Sequence, residues 1–255
     1  MNNYEKIFFI CIILIFFCFI LLNNNFFELF YFTNLKLDIV ISRYSEDLSF
    51  LKEEEFNNFN IIIYNKGDDL NDEYKNVVKI DNVGREGHTY LYHIVNNYDN
   101  LGDITCFFPG SCTDNIFGKK GKTYKVIDLV KKTKNTVFVG GYGDGRHMYG
   151  FKLDTWESNN TNNKEKVKDH SLKRCYTQPF GEWYESNFPN IKLKFITWNG
   201  IFAVSKTHIL QHSKEYYQKL LEQLSDSPNP ECGHYFERAW VSVFHEIPAD
   251  CLHNH

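Results

Sequence analysis

Apolar positions follow two different patterns along this chain. Residues 7–22 (IFFICIILIFFCFILL) are an unbroken apolar run of 16 residues, which as a helix reaches about 24 Å at about 1.5 Å per residue. After a polar Asn23-Asn24-Asn25 break, Phe26, Phe27, Leu29, Phe30, Tyr31 and Phe32 restore the apolar character and add aromatics suited to a membrane interface. From about residue 33 onward the apolar residues come in short bursts between polar turns, the pattern of a folded domain.

Within that domain, Leu37-Asp38-Ile39-Val40-Ile41-Ser42 and Asn60-Ile61-Ile62-Ile63-Tyr64 are short β-branched runs of the kind that form buried strands, and Val77-Val78-Lys79-Ile80 resembles them. Between the first two, Phe50, Leu51 and Phe56 predict a short Glu-rich helix. Tyr90, Leu91, Ile94, Val95 and Tyr98 share one side of a helix over residues 87–98. A strand is predicted over 104–108, a helix over 124–132 and a strand over 136–139 leading into the loop 140–145. Residues 157–168 are polar and rich in Asn and Lys, a surface loop. Strand character returns over 195–204, and helices are predicted over 213–224 and 234–244, separated by the breaker Ser227-Pro228-Asn229-Pro230. This alternation predicts an α/β domain with a mainly parallel, Rossmann-like sheet and helices on both faces, in which ligands bind beyond the carboxyl ends of the strands.

Residues 1–6 are then a short tail, 7–32 a signal-anchor transmembrane segment in contact with the lipid bilayer, and 33–255 one globular domain. The competing reading of the apolar run is a cleaved signal peptide, since Lys6 supplies an n-region charge; no small-residue cleavage site follows the run. Flanking charge is balanced between Lys6 and Lys36. A short tail before a large domain suits a single-pass type II layout, with the domain in the ER or Golgi lumen or at the cell surface, where Asn159-Asn160-Thr161 is an acceptor for an N-linked glycan. Five of the seven cysteines, Cys106, Cys112, Cys175, Cys232 and Cys251, fall in the domain. One or two disulfides with a thiol left over is the lumenal expectation, and ordinary buried thiols are the alternative. The net charge of -4 and the scatter of Lys and Arg exclude a nucleic-acid footprint.

Chemistry concentrates at Asn82-x-Gly84-Arg85-Glu86, where a strand ends and a helix begins. Helix N-terminal N–H groups and the Arg85 guanidinium suit a diphosphate, and Glu86 suits sugar or ribose hydroxyls. Equally, Gly84 serves a turn, Glu86 complements the helix dipole and Arg85 is solvated. Gly118-Lys119-Lys120-Gly121-Lys122-Thr123 ends like a phosphate loop but has Ile116 where the first Gly belongs, so it reads as a Lys-rich surface turn. Cys232-x-His234 and Cys251-x-His253-x-His255 match no common zinc spacing.

These blocks together resemble the uncharacterised domain-of-unknown-function family 3431. The resemblance rests on Ile39 to Tyr44, Ile63 to Gly67, Asn82 to Leu91 continuing to Asp99, Thr105 to Gly110, Phe202 to Ser205 and Glu237-Arg238-Ala239-Trp240. Through it the chain is more loosely similar to GT-A-type glycosyltransferases, some of which carry N-x-G-R-[DE] near the donor site, here Asn82, Gly84, Arg85 and Glu86. That resemblance implies a nucleotide-sugar donor across the strand ends and a glycan acceptor. It makes Arg43 and Lys66 phosphate or base contacts and Glu237 the base that activates an acceptor hydroxyl. Glu237 as a locally paired surface carboxylate is the alternative. Trp198 is an acceptor platform in this reading and a buried strand aromatic in the other. The metal-binding Asp-x-Asp of such enzymes is missing, because the fourth strand ends Phe107-Phe108-Pro109-Gly110-Ser111. The cofactor is therefore undetermined and no metal ligands are assigned. A non-catalytic, membrane-anchored glycan- or partner-binding protein is the alternative function.

Overall fold

The computed structural model describes residues 35–153 and 173–255. The proposed anchor over 7–32, Asn159 and the polar loop 157–168 lie outside the described residues. Among those described, no helix is long and apolar enough to cross a membrane.

The β-branched runs form strands as their composition dictates. β1 (Leu37–Arg43) is central and pairs in parallel with β2 (Asn60–Asn65) on one side and β4 (Ile104–Pro109) on the other; β2 continues in parallel to the short, exposed β3 (Val77–Lys79). β1 and β4 are buried on both faces, which explains why they read as continuous rather than alternating apolar runs. The eight-stranded sheet continues through β7 (Phe202–Ser205) and β5 (Val137–Tyr142) to β6 (Phe195–Ile196), and β8 (Leu252–Asn254) also pairs with β5.

This second half adds two strands that run against the others to a sheet whose remaining strands share one direction, as expected of a mainly parallel sheet. β7 is inserted between β4 and β5 and runs antiparallel to both, β6 is antiparallel to β5, and β8 is parallel to it, so the sheet is mixed. The single strand expected over 195–204 is in fact two, split by left-handed Asn199 and Gly200 at φ 70° and 61°. An Asn-Gly pair adopts that conformation readily, and it turns the chain from one neighbour to another.

Helices cover both sheet faces. α1 (Arg85–Asn96) lies against β1 and β4, and α2 (Lys119–Thr133) packs on β4, β5 and β7. α3 (Phe180–Asn187), α4 (Lys206–Ile209), α5 (Lys214–Glu222) and α6 (Glu231–Val243) follow. Strand side chains alternate between two cores. Val40, Phe107, Phe138 and Phe202 join Tyr90, Trp240 and Phe244 in one cluster of buried aromatics, with ring centroids 5.1 Å apart for Tyr90–Phe107 and for Phe202–Trp240. Each such ring contributes about 1.5–3 kcal/mol by leaving water. The short helix expected between β1 and β2 is instead two 3₁₀ turns, Ser49–Lys52 and Glu54–Phe56, which bury Phe50, Leu51 and Phe56.

The N-terminus of α6 is fastened by two devices. Cys175 and Cys232 form a disulfide, while Cys106, Cys112 and Cys251 are buried thiols. Beside it the buried Glu231 carboxylate accepts the N–H of Leu153 at 2.8 Å and of Cys175 at 3.0 Å, holding the chain on either side of residues 154–172. Glu231→Ala strands two buried donors that were bonded to a charge, so a loss of about 3 kcal/mol is expected in urea unfolding. A loss of only a few tenths contradicts this role for the carboxylate.

Candidate functional site

β1, β2, β4 and β5 all end at the same edge of the sheet, and several of the chain's left-handed turns gather there. Three of them contain consecutive left-handed residues: Gly84 and Arg85 (φ 60° and 53°), Phe117 and Gly118 (52° and 68°), and Asn199 and Gly200. Left-handed non-glycine residues cost of order 1 kcal/mol or more and persist where the surroundings enforce them, frequently at functional sites. The turns also touch one another. The Asn199 side-chain amide donates to the Phe117 carbonyl at 3.4 Å, and a Cβ built on Gly200 would stand 3.1 Å from Cγ of Glu86, the residue after Arg85.

Two carboxylates flank the last turn. Glu86 packs against Gly200 from α1, while Glu237 on α6 accepts the Asn199 N–H at 2.9 Å. Beneath them the buried Tyr90 hydroxyl donates to the Gly200 carbonyl at 2.8 Å; burial, with Glu86 next, raises its pKa well above the ordinary phenol value. Arg85 Nε lies 3.5 Å from Glu86, and its Nη1 lies 3.3 Å from both Asn229 Oδ1 and His234 Nε2. Gly84 makes this approach possible. Its N–H donates to the Ser227 carbonyl at 2.7 Å, bringing α1 against the segment that precedes α6.

Two lysines stand behind these turns. Lys66 donates to the carbonyls of Val83 (2.5 Å) and Arg85. Lys122 donates to Thr197 Oγ1 (2.7 Å) and the Trp198 carbonyl (2.5 Å). Lys66 is 7% and Lys122 2% exposed. Burial pushes both amines down to about 7; the Glu86 charge opposes this for Lys66 and the Glu237 charge for Lys122. The supposed surface turn 118–123 is thus the start of α2, with Lys122 and Thr123 buried. Sequence reasoning missed Lys122 because lysine is ordinarily solvated.

Of the residues singled out in the sequence, Lys66, Gly84, Arg85, Glu86, Trp198 and Glu237 converge here. Trp198 is half-buried with the Arg238 guanidinium 5.1 Å from its ring centre, while Asn82 is exposed. Arg43 stands apart, binding Asn65 Oδ1 (2.8 Å) and the carbonyls of Asp68 (2.9 Å) and Glu46 (3.1 Å), which ties the ends of β1 and β2 together. Exposed Tyr44, Ile116, Phe117 and Tyr142 lie on the loops and strand ends of this same edge. Among the described residues no group of three or more His, Cys, Asp or Glu is arranged to hold a metal ion. Clefts of about 370 Å³ beside β2 and about 470 Å³ beside the disulfide lie elsewhere, and neither takes in Arg85, Glu86, Lys122 or Glu237.

Buried bases give this fold a pH dependence. His88 and His93 are pushed down to about 4 by burial, with further lowering by Lys66 for His88 and Lys36 for His93. These histidines and both lysines are lower in the folded than in the unfolded chain, so unfolding takes up protons and stability rises with pH. The histidine part is complete above about 6.5 and is lost as pH falls toward 4; the lysine part grows between about 7 and 10. Urea midpoints measured at pH 4.5, 6.5 and 9 are expected to increase in that order. A lower midpoint at pH 9 than at 6.5 contradicts the burial of the amines.

A family model described as "Protein of unknown function (DUF3431)" matches residues 39–255. No curated protein and no solved structure matches the chain.

Proposed function

Since the chain belongs to the DUF3431 family, whose shared activity is still to be found, we propose from its own chemistry that it is a membrane-anchored, glycosyltransferase-like protein that binds a nucleotide sugar at the strand-end crevice. The observation that carries this reading is the Asn199–Gly200 turn, which has a carboxylate on either side and Arg85 beside one of them. A base, a hydroxyl acceptor and a cation for a diphosphate are the groups that sugar transfer requires.

In this reading Glu237 takes the proton of an acceptor hydroxyl as its oxygen bonds to the anomeric carbon. The bond from that carbon to the diphosphate breaks, the electron pair leaves on the phosphate oxygen, and Arg85 takes up the developing charge. Glu86 accepts hydrogen bonds from donor hydroxyls, and the half-buried Trp198 borders the acceptor side. Gly84 and Lys66 shape the donor turn, Asn82 lies at its exposed rim, and Arg43 acts through the loop it ties. The apolar segment 7–32 anchors the chain. The Cys175–Cys232 disulfide supports an oxidising location for the domain, in the ER or Golgi lumen or at the cell surface.

A second reading, a non-catalytic binder of a glycan or protein partner, is favoured by β4, which ends in Phe108 and Pro109 without paired aspartates. Release of nucleoside diphosphate from a panel of nucleotide sugars, with mixed glycan acceptors, separates the two. Turnover that falls about 10²–10⁴-fold in Glu237→Gln is expected of the enzyme. Donor binding without turnover in the unaltered protein selects the second reading.

A further inference from the structure

Buried charges in proteins are normally paired, because an isolated ion loses far more hydration than neutral dipoles return. Lys66 and Lys122 depart from that rule together. All four oxygens they bond, the carbonyls of Val83, Arg85 and Trp198 and the Thr197 hydroxyl, are neutral. Among the described residues neither amine is in an ion pair. Each backs a left-handed turn at the strand ends, Lys66 at Gly84–Arg85 and Lys122 just before Asn199–Gly200.

We propose that the missing counter-charge is the ligand's own: the crevice binds a polyanion of at least two charges, and Lys66 and Lys122 take up protons as it enters. This rests on the crevice being the ligand site and adds the charge of its occupant and a proton count. Lys66 faces Glu86 and Arg85 at the start of α1, with His88 one turn on; Lys122 faces Glu237 on α6 and His255 at the chain end. In the empty site burial disfavours the charged amines, and one carboxylate near each offsets this only in part. An entering anion adds negative charge beside both and favours their protonated forms. By linkage, protonation then strengthens binding of the anion. Arg85, permanently charged, supplies the part of the attraction that does not change with pH.

The test is calorimetric titration of the full chain in detergent with inorganic pyrophosphate, at pH 6 and pH 8.5, in two buffers of different ionisation heat at each pH. At pH 8.5 binding is expected to take up about one to two more protons than at pH 6, and the affinity to fall roughly tenfold or more over that interval. Lys66→Met and Lys122→Met are each expected to remove up to about one proton from the uptake at pH 8.5. The pyrophosphate's own protonation is common to all variants and cancels in the comparison. Lys66→Arg and Lys122→Arg hold the charge at every pH, so if the methionine variants fail to fold these retain binding while losing the uptake. Absence of pyrophosphate binding, or the same uptake in every variant, overturns the proposal. Pyrophosphate binding with this uptake, where no nucleoside diphosphate binds, sinks the sugar-transfer reading and leaves this one standing. Nucleotide binding with an unchanged proton count does the reverse.

Discussion

Gly84→Ala is expected to cost at least about 3 kcal/mol of folding stability, lowering the thermal midpoint by roughly 6–12 °C for a domain of this size. Gly84 has φ 60°, where an alanine is strained. Its Cβ would stand 2.4 Å from the Leu224 carbonyl oxygen and 2.5 Å from the His88 Cβ. Neither neighbour is a flexible side-chain end, and the Gly84 N–H is held by the Ser227 carbonyl, so the turn has nowhere to retreat. Gly118→Ala is the control. Gly118 has φ 68°, yet nothing lies within 4 Å of a Cβ there, so it isolates the conformational cost of about 1 kcal/mol. Equal losses for the two variants contradict the close contact of α1 with the 224–227 segment.

The second large effect is on affinity. Arg85→Ala is expected to weaken nucleoside diphosphate binding about hundredfold while moving the unfolding midpoint little. Its side chain is 30% exposed and its Nη1 contacts are an amide oxygen and an imidazole at 3.3 Å, longer than a strong charge-assisted bond. With Glu86 at 3.5 Å as its charged neighbour and only long contacts at Nη1, the guanidinium is loosely held and gains strongly from a phosphate. Unchanged affinity, by calorimetry, moves the phosphates away from α1.

Strands built from continuous β-branched or aromatic runs are readable in the sequence. β1, β2 and β4 stand out as β-branched or aromatic runs, and α1 as a helical stripe, because burying an apolar side leaves a period in the sequence. The junction at Gly84, Arg85 and Glu86 was also readable, since a glycine before a charged pair opens that stripe. The β6–β7 turn was obscured by the apolar residues on either side of Asn199–Gly200, which together resemble one strand. α3, over Phe180–Asn187, and β8 are too short to show a period. Lys122 left no local signal, because its burial depends on Thr197 and Trp198, which lie far away in the chain. The choice of Cys175 and Cys232 among five cysteines likewise depends on tertiary proximity, a Cα separation of 5.1 Å across 57 residues of sequence. The mainly parallel direction follows from the β-α-β beginning, but the two reversed strands, β6 and β7, leave no mark in the sequence because strand direction is set by where the returning chain is inserted.

The central claim, that a phosphorylated ligand binds where the three left-handed turns meet, is tested most directly by the thermal midpoint of the full chain. It is measured against a panel of nucleoside diphosphates and nucleotide sugars, with and without Mn²⁺. A ligand that binds only the folded state raises the midpoint by mass action, by about 2.7 kcal/mol of stability at a hundredfold excess over its Kd. The predicted result is a rise with at least one nucleotide that disappears in both Arg85→Ala and Glu86→Ala. No rise with any nucleotide, or a rise that survives both substitutions, contradicts it.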